Sequence, residues 1–295
     1  MQQICLGSKR RILCLGAHSD DLEIGAGGTL LKLAGEVPDL EICWVVFTAP
    51  GPRADEARLS ANDFLDRCSH KTIKIGLFRE SYFPSEWPSI KEWFEEIKAG
   101  FDPDVVFTHF RDDRHQDHRI LSDLAWNTFR NHLILEYEIL KYDGDLGCPN
   151  VFVPLSADLC ARKIDLLLKH FRTQSSKHWF TRATFEAMHC IRGVECASDT
   201  GLAEAFYCRK LVLAEVPQLS QHALAFKRLC EQIQAIFSTT FWMIFGDVGS
   251  AKPRCASSWA TGLSGRATRR RRSWPRFLTG RITSMERIVE TSNRN

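Results

Sequence analysis

The chain has 295 residues, 44% of them hydrophobic and 25% charged, with a formal net charge of +3. That composition excludes collagen, coiled-coil and fully disordered chains and fits one large or two modest globular domains. No membrane partner is expected: the longest apolar stretch, Ile233 to Phe245, is broken by Ser238, Thr239 and Thr240 and falls short of the roughly 20 residues a spanning helix needs. The opening residues carry no apolar core and cleavage site of a secretory signal.

Arg11 to Ala17 reads as a short apolar strand ending at a polar loop. Gly25 to Ala34 is a glycine-opened helix, and Leu40 to Thr48 a second strand. A helix over Arg53 to Arg67 places Ala57, Ala61, Phe64 and Leu65 on one side. Lys71 to Leu77 is a strand, Ser89 to Gly100 a helix and Asp104 to His109 a further strand. Fully apolar short strands alternating with amphipathic helices predict an α/β fold, a doubly wound and mostly parallel sheet with helices on both faces. Such sheets carry their sites in loops at strand carboxyl ends, near a topological switch point.

The net charge hides an asymmetry. Residues 216–295 hold 13 basic residues against four acidic ones, or +9, whereas residues 1–215 hold 26 against 32, or −6. Past Ser250 neither helical nor strand period is visible, so the expected organisation is a folded domain over 1–215 and an irregular, poorly ordered basic extension over 216–295. The 11 cysteines form no C-x-x-C pair, which argues against a zinc ribbon or thioredoxin motif and for a reducing cytoplasm.

Two clusters carry chemistry. After the first strand comes His18-Ser19-Asp20-Asp21, running into Gly25-x-Gly27-Gly28; after the Asp104 to His109 strand comes Asp112-Asp113-Arg114-His115-Gln116-Asp117-His118. Both loops follow strands that a parallel sheet would align at one edge. Imidazoles with carboxylates are the donors of a catalytic zinc site, which keeps one position for water. Each cluster alone also reads as turn acids beside a surface histidine, but two at corresponding positions favour a metal. The glycines lack the G-x-G-x-x-G order and follow two aspartates, which opposes a nucleotide pyrophosphate; they read instead as close helix packing. The remaining histidines have no ligand spacing and read as surface or packing residues, with His109, at a strand end, open to a supporting role. Trp87, Trp93, Trp126 and Trp179 read as core or groove aromatics.

The His18-Ser19-Asp20-Asp21 and His115-Gln116-Asp117-His118 loops resemble the paired motifs of the LmbE-like (PIG-L) zinc-dependent N-deacetylases. Arg53-Ala-Asp-Glu56, Asp104-Val-Val-Phe-Thr108 and the late run Arg192-Gly193…Ala203-Glu204-Ala205-Phe206 extend the likeness over about residues 9–213. Ser19 stands where that family most often has proline. The resemblance implies zinc (iron being the alternative) held by His18, Asp21 and His118, with Asp20 as general base. It implies His115 as an imidazolium that steadies the oxyanion or protonates the leaving amine. Asp117 is open to orienting an imidazole or stabilising a turn, and Arg53 to binding substrate or remaining solvated. The expected reaction is removal of an acetyl group from a small N-acetylated amino-sugar compound. Two alternatives stay open: a metal-dependent phosphoesterase, and a nucleic-acid-binding protein acting through Arg269 to Arg272 and Trp274.

Overall fold

Runs such as RILCLG, EICWVV and VVFTH are apolar at successive positions, so each needs a cover on both faces. In the computed structural model, which describes residues 9–212, they form the parallel centre of a seven-stranded sheet. The parallel strands are β1 (Arg11–Gly16), β2 (Glu41–Val46), β3 (His70–Ile75), β4 (Val105–His109) and β5 (Leu133–Tyr137). The two remaining strands are β6 (Val151–Pro154) and β7 (Ala203–Tyr207); β7 pairs antiparallel with both β5 and β6. The strand order is β3-β2-β1-β4-β5-β7-β6.

Six helices cover the sheet: α1 (Asp21–Glu36), α2 (Arg53–Phe64), α3 (Trp87–Gly100), α4 (Gln116–Thr128), α5 (Ala157–His170) and α6 (Arg182–Glu195). Alternate strand residues serve opposite faces. Ile12, Cys14, Ile42 and Trp44 pack with α1, α2 and α5, while Leu13, Leu15, Cys43 and Val45 pack with α3 and α4. The doubly wound expectation is borne out, and the buried cysteines act there as small hydrophobes. Among the described residues no helix is long and apolar enough to cross a membrane.

From β1 the chain moves out to β2 and β3, then returns to β4 on the other side of β1. The sheet therefore changes direction between β1 and β4, the place where open α/β sheets form their crevice. Both histidine–aspartate clusters follow these two strands. Two boundaries differ from the sequence reading. Helix α1 starts at Asp21 rather than Gly25, because Asp21 and Glu23 suit the positive end of a helix, while low-propensity glycines mask its start in the pattern. The second cluster is only half loop: α4 begins at Gln116, so His118 rides on its first turn. The basic extension lies outside the described residues.

Candidate metal centre

Three predicted ligands converge on one point. His18 Nδ1 lies 3.1 Å from His118 Nε2 and 3.3 Å from Asp21 Oδ2, and the last two atoms are 3.5 Å apart. Tetrahedral zinc with bonds of about 2.0–2.1 Å needs ligand atoms about 3.3–3.4 Å from one another. The triangle fits such an ion without rearrangement of its edges. All three side chains are buried.

Each imidazole is backed by an acid. His18 Nε2 lies 3.2 Å from Asp117 Oδ2, and His118 Nδ1 lies 2.9 Å from Asp113 Oδ2. A proton donated to those carboxylates leaves His18 Nδ1 and His118 Nε2 as lone pairs facing the shared point, the arrangement that orients metal-binding histidines. Asp117 does both things the sequence left open, since Oδ2 and Oδ1 also accept from Ser81 N–H (2.6 Å) and Phe83 N–H (3.2 Å). Asp113 was given no role in the sequence reading. It also accepts His115 N–H at 2.7 Å and pairs with Lys141 at 3.0 Å.

The electrostatics are those of a cation site. Burial opposes a charge on His18, but Asp21 and Asp117 outweigh it and push its pKa up to about 10, so a metal ion taking Nδ1 would displace a proton from it. His118 goes the other way, to about 3, through burial and the neighbouring His109, so it is a neutral imidazole. Burial works against ionised Asp21, yet His118, His109 and His18 hold its carboxyl well below the usual range.

Two further groups of donors overlap this one, His18 with His115 and His118, and Asp21 with His109 and His118. His109 is fully buried, and its ring stacks on that of His118 with centroids 3.9 Å apart. Its Nε2 accepts Ala17 N–H at 2.9 Å and lies 3.1 Å from the Tyr137 hydroxyl, so that lone pair is already engaged. Tyr137 sits there because Gly25 makes room: a Cβ at position 25 would come within 2.2 Å of its Cδ2. The glycines thus serve close packing, as expected.

Asp20 immediately precedes α1 without a side-chain capping bond, and burial together with Asp21 pushes its pKa up to about 6. His115 is half-buried, its ring 4.8 Å from that of His18. Its Nδ1 accepts Asp117 N–H at 3.2 Å, while burial and His18 lower its pKa from 6.5. The lowered pKa disfavours the imidazolium expected from the motif, and the bond on Nδ1 leaves Nε2 to carry the proton of a neutral ring. Arg53 is neither solvated nor free. It donates to Ser19 Oγ (3.0 Å), forms two bonds to Glu80 (2.9 and 2.8 Å) and stands 3.6 Å from Asp20 Oδ1. Trp87 is exposed and Trp93, Trp126 and Trp179 only half-buried, whereas Trp44 is the tryptophan of the core.

Fold and cluster together define an α/β protein with a histidine–aspartate centre at the carboxyl edge of its parallel strands. Residues 13–129 match the PIG-L model, described as GlcNAc-PI de-N-acetylase, so this segment is similar to that family. Solved structures share the fold at low identity. An N,N'-diacetylchitobiose deacetylase from Pyrococcus horikoshii aligns at TM-score 0.52 and 20% identity, over 68% of this chain and 84% of that one. The zinc-inhibited form of a teicoplanin deacetylase gives 0.55 and 15%, over 67% and 97%. A 4-carboxy-2-hydroxymuconate hydratase from Pseudomonas putida gives 0.56 and 13%, over 70% and 99%.

Proposed function

We propose that the chain is a zinc-dependent N-deacetylase acting on an N-acetylated amino sugar. The observation that carries this reading is the triangle of His18 Nδ1, Asp21 Oδ2 and His118 Nε2, with edges of 3.1 to 3.5 Å and an acid behind each imidazole. His18, Asp21 and His118 would hold the metal, and iron(II) would accept the same donors. His115 is the weaker ligand candidate because its Nδ1 is taken by a backbone N–H, and His109 because its Nε2 already accepts Ala17 N–H. When bound, zinc supplies a water of lowered pKa and polarisation of the amide carbonyl.

The chain's own residues supply the proton chemistry. Asp20 accepts a proton from the attacking water and passes it to the amide nitrogen as the C–N bond breaks. A carboxyl lifted to about 6 is suited to both directions of that transfer. Water oxygen ends on the acyl carbon as acetate, and the nitrogen leaves as a free amine. His115, neutral and with its proton on Nε2, donates to the carbonyl oxygen as negative charge gathers there. Arg53 holds Ser19 through Nε and Glu80 through Nη1 and stands beside Asp20, contacts that support a positioning role better than substrate binding.

The sugar rests on the family description and on the diacetylchitobiose relative. A phosphoesterase would need a second metal about 3.5–4 Å from the first. The two further donor groups both use His118, so among the described residues they do not make a separate second site. The cytoplasm is the compartment we assign, supported by eight free cysteines among the described residues. The deciding experiment incubates zinc-loaded protein with N-acetylated sugars and with phosphate esters, assaying acetate, free amine and phosphate. Acetate and amine in equal amounts are expected. Phosphate without acetate would overturn the assignment.

A further inference from the structure

Helix α1 presents Asp20 and Asp21 to the site, yet one turn further on its backbone is held by side chains from distant segments. Lys163 of α5 donates from Nζ to the Ile24 carbonyl at 2.7 Å. Glu204 of β7 accepts Gly28 N–H on Oε1 at 2.7 Å and Thr29 N–H on Oε2 at 2.6 Å. The two side chains also pair with each other at 2.7 Å, and both are buried.

In a regular helix the Ile24 carbonyl would receive Gly28 N–H, and Gly25 would receive Thr29 N–H. Here an ammonium meets the carbonyl that closes the first turn, and a carboxylate meets the amides that open the next. Because α1 runs unbroken over Asp21–Glu36, the ammonium and the carboxylate reach the backbone of one continuous helix. Gly28 permits the approach, because a Cβ there would lie 2.5 Å from Leu155 Cδ1 and 3.0 Å from Glu204 Oε1. The first turn is itself closed by Ile24 N–H on the Asp20 carbonyl at 3.0 Å. A chain of bonds therefore runs from Lys163 through Ile24 to Asp20, and Asp21 in turn accepts His18 N–H at 2.7 Å.

We propose that Lys163 and Glu204 are positioning residues for the metal centre, acting by setting the first turn of α1; the inference rests on the metal assignment above. An ordinary buried ion pair would only stabilise the fold or break even against apolar packing. This pair instead fixes where two aspartates stand, and distortion there propagates to the ligand triangle.

The test compares Lys163→Met, Glu204→Gln and the double variant. Each single change leaves a buried group without its partner and lowers the urea midpoint. The double variant removes both charges, so neither is left buried without its counter-charge and much of the lost stability returns. Zinc affinity, measured by competition with a fluorescent chelator, should nevertheless stay about 10–100-fold weaker than in the unchanged protein, the range for residues that orient ligands. Recovery of zinc affinity in step with stability would overturn the proposal. Should the double variant fail to fold, Glu204→Asp decides: it keeps the charge but withdraws it from Gly28 and Thr29, and undiminished zinc affinity would again overturn the idea. An unchanged protein that binds no zinc removes both the metal assignment and this inference. One that binds zinc but releases no acetate removes only the deacetylase reading.

Discussion

Asp117→Asn tests the centre through a residue that touches no reacting atom. Asp117 is fully buried, and its two oxygens serve three donors: Ser81 N–H and His18 Nε2 on Oδ2, Phe83 N–H on Oδ1. Burial disfavours its charge, but the bond to His18 and the Ser81 amide keep its pKa below the ordinary value, so it is a carboxylate at neutral pH. Asparagine has nearly the same shape but only one accepting oxygen. With its NH2 at the Oδ2 position it would face two donors; at the Oδ1 position it faces one. The amide should therefore turn its NH2 to Phe83 and leave that N–H unpaired, a loss of about 1–3 kcal/mol. His18 keeps an acceptor but loses the charge behind it, which should weaken zinc about 10–100-fold, or about 1.4–2.7 kcal/mol. Urea unfolding of the metal-free protein reads the first loss, and chelator competition reads the second. A folded Asp117→Asn protein with zinc affinity within about twofold of the unchanged chain would refute the orienting role.

His18→Ala, Asp21→Asn and His118→Ala should each abolish stoichiometric zinc while leaving the far-ultraviolet circular dichroism intact; full occupancy by elemental analysis in any one removes that residue from the ligand set. Asp20→Asn and His115→Ala should keep zinc but lose turnover, by about 10²–10⁴-fold for a missing proton-transfer group; near-normal acetate release by either metal-replete variant transfers its role elsewhere. Arg53→Met should lower kcat with little change in KM, because the guanidinium contacts Asp20, Ser19 and Glu80; a raised KM at unchanged kcat would restore it to substrate binding. Burial opposes ionisation of Glu204, but Lys163 and His189 outweigh it and hold its pKa below the ordinary 4.5. Its stabilisation is thus present above that value and lost as pH falls through the lower folded one. Glu204→Gln should accordingly show a flatter dependence of urea midpoint on pH in the acid range, and a slope equal to that of the unchanged protein would contradict this. A chain ending at Glu215 should keep zinc and hydrolysis, since the whole sheet and every assigned residue precede that point; loss of acetate release without unfolding would place part of the site in the basic extension.

The strands β1 to β4 and the two motifs were legible because their signals are local. An unbroken apolar run needs only a few residues to be recognised, and His18 to Asp21 lie within one loop. The supporting residues carry no such signal. Asp113 sits in the quoted motif loop, but nothing in its neighbours distinguishes it from a turn acid, and its partner His118 Nδ1 is met only once α4 begins at Gln116. His109 reads as the last residue of a strand; only the packing of β4 against β1 and β5 brings its Nε2 to Ala17 N–H and Tyr137. Arg53 has the look of an exposed helix start, and Glu80, which fixes it, belongs to a different connection.

Glu204 is the extreme case of the same principle. It lies 176 residues from the Gly28 amide it accepts, on the strand AEAFY, which is buried from Ala203 to Phe206. Periodicity would place Glu204 and Phe206 on one face, a conflict for any reading in which that face is wholly apolar. The conflict disappears once the Gly28 and Thr29 amides of α1 and the ammonium of Lys163 meet that carboxylate. The interruption of the pattern by Glu204 is therefore information about α1 rather than about β7. A charged residue beside Phe206 on a buried strand face states that polar groups of another element reach that face, and here they belong to the helix that carries Asp21.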